Sequence, residues 1–129
     1  IHSIYQASRI QEICHDLGLF CFNPLWLSSQ EEILKELLAR NYNVIITKVA
    51  GMGLDKTWLG RIIDEKFITD INKIKQKYKI NVAGEGGELE SFVLDSPFFT
   101  YAIKVKDVIL VENDNNFVYN IIKIQREEK

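Results

Sequence analysis

The chain has 129 residues, of which 47% are hydrophobic and 11% aromatic, enough for one compact domain with a packed core. Lys and Arg number 16 against 18 Asp and Glu, and the two signs are interspersed, so neither nucleic acid nor a membrane surface is expected as a partner. The apolar runs are too short to cross a bilayer, and the start of the chain does not resemble a secretory signal, which predicts a cytoplasmic location.

The first part of the chain predicts two helices and a buried strand. Apolar residues at helical spacing, with Ser3 as N-cap, predict a helix over Ser3–Leu17. The pair Ser28-Ser29, followed by glutamates three positions on, predicts a helix over about Gln30–Arg40. The β-branched run Val44–Ala50 alternates little, which is typical of a strand covered on both faces in a parallel or mixed sheet.

The second part predicts one more helix and mainly β structure. The fold class expected is α/β, a mixed sheet with helices and a C-terminal antiparallel hairpin. The elements predicted in this part are a helix over Asp64–Tyr78, strands over Ile80–Ala83 and Ser91–Leu94, and a hairpin with arms at Tyr101–Lys106 and Phe117–Ile124 around Asn113–Asn116.

A turn rich in glycine and glutamate follows the predicted strand Ile80–Ala83. Its glycines tolerate positive φ and let another group come close, while its glutamates concentrate negative charge that a cation or a metal ion would relieve. The bland alternative, a solvated turn leading into the next strand, stays open on composition alone. The residues concerned are Gly84, Gly86 and Gly87 with Glu85, Glu88 and Glu90.

The segment Leu54–Arg61 is the second candidate, predicted to be a turn and a short helix. Arg61 suits a carboxylate or phosphate, Lys56 adds a positive charge beside Asp55, and Trp58 offers a face for a cation. The alternative is a core tryptophan with solvated charges around it. If the strands preceding the two segments are parallel neighbours, both segments converge on one edge of the sheet, where α/β folds bind ligands.

Other familiar sites are missing from the sequence. Cys14, His15 and Cys21 lack the spacing of a zinc site, and no metal ligand set is predicted. The chain contains neither a phosphate-binding loop of the Walker type nor a nucleophile elbow.

Four strings resemble the C-terminal part of the diphthine–ammonia ligase family in its archaeal form, in order and over about Ser3–Phe99. The strings are Ile4-Tyr5-Gln6-x-x-Arg9, Pro24-Leu25-Trp26, Thr47-Lys48-Val49-x-x-x-Gly53-Leu54-Asp55-x-x-Trp58-Leu59-Gly60-Arg61 and Ile80-Asn81-x-x-Gly84-Glu85-Gly86-Gly87-Glu88-x-Glu90-Ser91-x-Val93-x-Asp95-x-Pro97.

The resemblance implies a PP-loop ATP pyrophosphatase in which ATP with Mg²⁺ activates the carboxylate of diphthine on translation elongation factor 2, and ammonia then forms the amide. From the chemistry of diphthine we expect Trp58, Glu85 and Glu88 to hold its cation and Arg61 and Lys56 to face the acyl-adenylate, with Glu85 or Glu88 acting catalytically on ammonia. Tyr5, Gln6 and Arg9 would contact the nucleotide or another domain. The remaining residues of the two candidate segments would bind substrate.

This chain departs from the family pattern because the ATP loop is missing, so it is not expected to turn over alone. Residues 1–23 would then be the last helix of a truncated nucleotide-binding domain, and residues 24–129 the substrate-recognition domain. Two other interpretations remain: a related ligase with another carboxylate substrate, and a non-catalytic module that binds a basic partner. A homodimer also remains open.

Overall fold

A computed structural model describes residues 2–129; Ile1, the first residue of the predicted segment 1–23, lies outside the described part. The elements in chain order are α1 (Ile4–Asp16), α2 (Gln30–Ala39), β1 (Asn43–Val49), a short 3₁₀ helix (Lys56–Trp58), α3 (Glu65–Tyr78), β2 (Leu89–Asp95), β3 (Tyr101–Asn113) and β4 (Asn116–Glu128).

All three α-helices begin at side chains that cap their first turn. Ser3 accepts a hydrogen bond from the backbone N–H three residues on, and Ser29 and Asp64 do the same for α2 and α3. Each bond satisfies one of the N–H groups that have no partner inside the helix. The predicted helices are therefore confirmed, with ends that differ by a residue or so.

The four strands form one sheet in the order β2-β1-β4-β3, and every neighbouring pair is antiparallel. The α/β class and the C-terminal hairpin are confirmed, whereas the parallel pairing expected of a mixed sheet is not found among the described strands. The buried, non-alternating sequence of β1 has another cause. Val44, Ile46 and Val49 of β1 are buried in the core, and the edge of β1 that faces away from β2 is paired by the chain itself, where Ile63 donates its N–H to the Val44 carbonyl (2.8 Å) and Ile46 donates to the Arg61 carbonyl (3.0 Å).

The predicted strand Ile80–Ala83 is wrong. The chain reverses there, and Gly84 donates its N–H to the carbonyl of Asn81 (3.0 Å). Ile80 and Val82 are buried, so the apolar residues that suggested a buried strand belong to a turn with two side chains in the core. The glycine- and glutamate-rich turn therefore leads into β2 rather than out of a strand.

The core lies between the sheet and the helices α2 and α3. Phe67 and Ile71 of α3 and Ile46 of β1 are fully buried, and Val82 of the turn packs with them. The buried cluster runs from Leu34 of α2 to Leu89 of β2, so burial of its apolar area holds α2, β1, α3 and the glycine- and glutamate-rich turn together.

The N-terminal part of the chain contributes nothing to this core. Helix α1 has no buried residue, and the segment that follows it leaves large apolar side chains open to solvent. An apolar surface of this extent is typical of a contact region. The N-terminal apolar surface comprises Ile4, Tyr5, Ile10, Ile13, Leu17, Leu19, Phe20, Phe22, Leu25 and Leu27.

Candidate functional site

The glutamate turn, defined as Asn81–Glu88, lies beside the end of β1. Ala50 donates its N–H to the backbone carbonyl of Glu88 (2.8 Å), and Val49 pairs with Leu89 across the two strands. A Cβ added at Gly51 would stand 2.9 Å from the Cβ of Glu88, so the backbone approaches closely at this point. Because β2 runs antiparallel to β1, β1 ends where β2 begins. The glutamate turn and the residues that follow β1 therefore lie at the same end of the sheet.

Glu88 is held inside the turn by three N–H groups. One carboxylate oxygen accepts from the backbone N–H and the side-chain amide of Asn81, each at 2.9 Å, and the other accepts from the backbone of Gly86 (2.9 Å). Burial raises the pKa of Glu88, but these donors, Asn81 first among them, lower it by more, so the net shift is downward. Glu88 therefore braces the turn as a carboxylate.

Glu85 projects from the same turn toward the start of α2. Its carboxylate accepts from the side-chain amide of Gln30 (3.2 Å) and from the backbone N–H of His2 (3.0 Å). Burial raises the pKa of Glu85, but donors that include the His2 N–H outweigh it, so the net shift is downward. This carboxylate is thus ionised and held in place at the surface.

Gln30 ties the turn to helix α2. It is 8% exposed, and its Nε2 donates to Asn81 (3.0 Å) as well as to Glu85, while its Oε1 accepts from the backbone N–H of Ala83 (3.1 Å). Sequence reasoning missed Gln30 because its partners lie more than 50 positions away, and nothing local distinguishes a buried glutamine at the first turn of a helix.

A cavity of about 470 Å³ lies next to this network. Gln30 and Asn81 line it, and the lysines Lys75 and Lys79 add positive charge at the end of α3. Because Glu85 is bonded to two of the lining residues, His2 and Gln30, a negative and a positive group lie near the same cavity. Such a pair suits a ligand that carries both charges.

The other residues of the glutamate turn have smaller parts in the geometry. Gly86 supplies an N–H to Glu88, and Gly84 and Gly87 take positive φ where the chain reverses. Glu90 lies beyond the turn on β2 and forms an ion pair with Lys48 across the strands (2.7 Å). In this pair the Glu90 side chain is 59% exposed and that of Lys48 29%.

The tryptophan loop, Leu54–Arg61, runs along the opposite side of β1. Gly60 donates its N–H to the carbonyl of Ile46 (2.8 Å), and the ring of Tyr119 from β4 covers Gly60. No cavity described for residues 2–129 has both Glu85 and Arg61 among its lining residues. A Cβ at Gly51 would meet both Glu88 (2.9 Å) and Leu54 (3.2 Å), so the start of the loop lies near the turn, and a pocket shared by the two segments stays a prediction.

Trp58 and Arg61 find their partners inside the protein. Trp58 is 7% exposed and meets the ring of Phe67 edge-on, with centroids 5.5 Å apart. The guanidinium of Arg61 stands 4.4 Å from the Trp58 ring and donates to Asp70 of α3 (2.9 Å). Direct contact of Trp58 and Arg61 with substrate stays a prediction, and in this geometry both hold the loop against α3.

Asp55 and Lys56 start the 3₁₀ helix. Asp55 accepts from the hydroxyl and the backbone N–H of Thr57, which lowers its pKa, so its carboxylate acts as a cap. Lys56 is exposed. Asp55 and Lys56 remain candidates for substrate contact on the exposed side of the loop.

The three predicted nucleotide or interface residues, Tyr5, Gln6 and Arg9, are exposed on α1. Gln6 lines a groove of about 340 Å³ between α1 and the segment Asn23–Trp26. In residues 2–129, no group of three or more His, Cys, Asp or Glu side chains is arranged to hold a metal ion. No helix of the described part is long and apolar enough to cross a membrane.

The family model of the diphthamide synthase C-terminal domain matches residues 29–129. The chain belongs to this family. Among curated proteins it resembles the diphthine–ammonia ligase of Schizosaccharomyces pombe, with 36% identity over 121 residues, 92% of this chain and 19% of that protein. It resembles the human diphthine–ammonia ligase with 40% identity over 108 residues, 81% of this chain and 39% of that protein.

The resemblance to the diphthine–ammonia ligase family drawn from the four sequence strings is thus confirmed, while the archaeal form stays a prediction. The chain spans between 18% and 39% of the length of the diphthine–ammonia ligases it matches. The matched region contains Gln30, the tryptophan loop and the glutamate turn. Helix α1 precedes the matched region.

Proposed function

We propose that this chain is the substrate-recognition part of an ATP-dependent diphthine–ammonia ligase, which amidates diphthine on translation elongation factor 2 in diphthamide biosynthesis. The observation that carries the proposal is the contact between Glu85 and Gln30, a residue that lines a cavity of about 470 Å³, within a region that matches the diphthamide synthase C-terminal domain. The names of the relatives supply the reaction class.

The chemistry of diphthine suits this rim. Diphthine combines a quaternary ammonium with a carboxylate, so a site for it needs a negative group for the first and positive groups for the second. We assign Glu85 to the cation, or to the incoming ammonia, whose proton a carboxylate can accept. Lys75 and Lys79, which line the cavity, are suited to the carboxylate end.

Most of the other candidate residues hold the two segments in shape. Glu88 holds the shape of the glutamate turn, with Gly84, Gly86 and Gly87 allowing the chain to reverse. Trp58 and Arg61 anchor the tryptophan loop on α3. Glu90, Asp55 and Lys56 remain candidates for contact with the protein part of the substrate, because they are exposed near the same sheet.

ATP, when bound, would supply the activation of the carboxylate as an acyl-adenylate, releasing pyrophosphate, and amide formation would release AMP. The ATP loop that the family resemblance implies is missing from this sequence, so we assign Mg²⁺-ATP to the part of the relatives that lies outside the match. The residues of this chain then bind and orient the diphthine side chain and ammonia.

The N-terminal apolar surface supports the proposed domain division. Residues 1–23 would belong to a nucleotide-binding domain and residues 24–129 to the substrate-recognition domain. The family match begins at residue 29, and helix α1 exposes apolar side chains that another domain would cover. Tyr5, Gln6 and Arg9 would lie at that contact or against the nucleotide.

The test is an amidation assay with the complete protein, elongation factor 2 carrying diphthine, ATP and ammonia. Glu85→Gln is expected to lower kcat/KM by about 10- to 100-fold, because a hydrogen bond or ion pair to a charged group is lost. Glu112→Gln, on the exposed face of β3, serves as the matched control and should retain the wild-type rate.

Each alternative interpretation predicts a different result. No amide formation on diphthine, with turnover on another carboxylate, would identify a related ligase. Absence of pyrophosphate release with every substrate offered would favour a binding module. A wild-type rate for Glu85→Gln would remove Glu85 from the site.

A further inference from the structure

We propose that Cys14 and Cys21 are a modification site, where a hydroperoxide converts the two thiols into a reversible disulfide that fixes the shape of the N-terminal apolar surface. Both cysteines are free and half-buried. They lie on either side of the chain reversal that follows α1, outside both candidate segments. A redox site here is independent of the function proposed for the glutamate turn.

The end of α1 brings the two cysteines to the same place. Gly18 takes a left-handed conformation (φ +65°) and donates its N–H to the His15 carbonyl (3.0 Å), which turns the chain back. Leu19 then donates its N–H to the Cys14 carbonyl (2.7 Å), so the chain that leaves the helix lies against the residue that carries the first thiol. Cys21 follows two residues further on.

The side chains of the two cysteines interact directly. Burial raises the pKa of the Cys14 thiol, and the neighbouring Cys21, through its charge and a hydrogen bond between the two side chains, raises it further. The sulfur of Cys21 also accepts a hydrogen bond from the side-chain amide of Asn23 (3.3 Å). Cys21 is thus held from two sides, by Asn23 and by Cys14.

The reaction balances with hydrogen peroxide as the oxidant. The thiolate of Cys21 attacks one peroxide oxygen and the O–O bond breaks, which gives a sulfenic acid and a hydroxide that leaves as water with the proton lost from the thiol. The thiol of Cys14 then attacks the sulfenic sulfur, the S–O bond breaks, and the hydroxyl leaves with the thiol proton as water. Cys21 reacts first because the raised pKa of Cys14 leaves less of it as thiolate.

The disulfide acts on the segment that carries part of the N-terminal apolar surface. Leu19, Phe20 and Phe22 are 61%, 90% and 74% exposed. Backbone hydrogen bonds join the start of this segment to the end of α1, and a covalent bond at Cys21 holds it further along as well. Closing a loop removes conformational freedom from the chain inside it, so the oxidised protein presents these three side chains in a more restricted arrangement.

The first test maps the bond in the complete protein. Arg9 and Lys35 bracket both cysteines with no Lys or Arg between them, so trypsin releases one peptide that spans residues 10–35. After treatment with hydrogen peroxide and blocking with N-ethylmaleimide, this peptide should carry no maleimide and be about 2 Da lighter than the reduced, unblocked peptide. Dithiothreitol added before blocking should restore two labelled thiols.

Single variants test the order of the two steps. In Cys14→Ser, Cys21 has no thiol to resolve it, so it should remain a sulfenic acid that dimedone traps. In Cys21→Ser, Cys14 should stay reduced at the peroxide dose that oxidises the wild type. A dimedone adduct on Cys14 in Cys21→Ser, formed as fast as the adduct on Cys21 in Cys14→Ser, would overturn the assigned order.

Three results with wild-type protein would overturn the disulfide itself. The first is full maleimide labelling of both cysteines at a peroxide dose that oxidises N-acetylcysteine in the same solution. The second is a dimedone adduct on Cys21 of the wild type, which would mean that Cys14 does not reach it. The third is a disulfide that joins two molecules of the protein.

Hydrogen exchange then tests the effect on the N-terminal apolar surface. Amides of residues 17–23 should exchange about three- to tenfold more slowly in the oxidised wild type than in the reduced protein, because opening of this segment is restricted. Residues 101–113 of β3 are the control region and should exchange at the same rate in both states. Equal rates at residues 17–23 would overturn the claim that the disulfide fixes this surface.

Discussion

The tryptophan loop and the glutamate turn are both candidate site segments in the sequence, but they are held in place by different forces. The loop is anchored by burial: Trp58 packs on Phe67, and the charge of Arg61 is matched by Asp70. The turn is anchored by hydrogen bonds, through the three N–H groups on Glu88 and the amide of Gln30.

Because of this difference, we assign the tryptophan loop to the scaffold and the glutamate turn to the candidate site. In the tryptophan loop, the aromatic face and the cation that the sequence offered to a ligand bind each other, 4.4 Å apart. In the glutamate turn, Glu85 is held by groups that include a neutral amide and a backbone N–H. The charge of Arg61 is thus matched inside the scaffold, whereas the turn is shaped mainly by hydrogen bonds to its two carboxylates.

The largest expected effect belongs to the loop. Trp58→Ala should lower the free energy of unfolding by about 3–5 kcal/mol, because it removes a buried aromatic ring from the core. Urea unfolding measures this loss. Phe98→Ala, at a side chain 83% exposed, is the control and should change stability by less than about 0.5 kcal/mol. Equal losses would contradict the assignment of Trp58 to the scaffold.

Two glycines test the same contrast at matched backbone geometry. Gly53 has φ of +80° and Gly87 has φ of +83°. A Cβ at Gly53 would overlap the ring of Tyr78, whereas one at Gly87 would meet nothing within 4 Å. Both Ala substitutions should lower the free energy of unfolding by about 1–2 kcal/mol because of the left-handed backbone. Gly53→Ala should lower it by about 1–3 kcal/mol more, because its Cβ overpacks against Tyr78.

Urea unfolding of the two variants isolates the packing contribution, since the backbone cost is common to both. If Gly87→Ala proves as costly as Gly53→Ala, the region before α3 is no more tightly packed than the glutamate turn. That result would contradict the statement that the tryptophan loop is anchored by burial and the glutamate turn by hydrogen bonds.

Local signals in the sequence predicted local structure well. Ser29 and Asp64 are recognisable as caps because their partners lie three residues away. The hairpin turn is recognisable because Asp114 and Asn115 both tolerate the positive φ they adopt, 43° and 64°. The residue types of the candidate segments and the family strings also marked the regions of interest.

The features that the sequence did not predict depend on distant contacts. The partners of Gln30 are 51 to 55 positions away, and Arg61 meets Asp70 only because α3 packs over the loop. Periodicity also cannot tell a strand from a turn with two buried side chains, as at Ile80 and Val82. Strand direction in the sheet is set by such long-range packing as well.

Glu88 of the glutamate turn and Glu90 of β2 should contribute differently to the free energy of unfolding. Glu88→Gln puts an NH₂ group where one of the donors needs an acceptor, so it should cost about 1–3 kcal/mol. Glu90→Gln breaks an exposed ion pair with Lys48 and should cost less than about 1 kcal/mol. Urea midpoints of both variants compare them directly, and an equal cost would mean that Glu88 is not the brace.

The smallest expected effect is the dependence of stability on pH through Asp70. Lys66 and Arg61 donate to its carboxylate and lower its pKa from 3.8 to about 2. A lowered pKa in the folded state stabilises the protein above the unfolded value, and this stabilisation is lost as pH falls from about 4 to about 2. The Asp70→Asn variant should therefore be less stable than wild type at neutral pH and should approach it across that window.

Salt sharpens this last test because Asp70 and its partners are partly exposed to solvent. At about 1 M salt the charges are screened within about 3 Å, so the difference between wild type and Asp70→Asn should shrink at neutral pH. Unfolding curves recorded at neutral and acid pH, each at low and high salt, measure both dependences. A difference that ignores both pH and salt would mean that Asp70 holds Arg61 by packing, and the loop would then be anchored by burial alone.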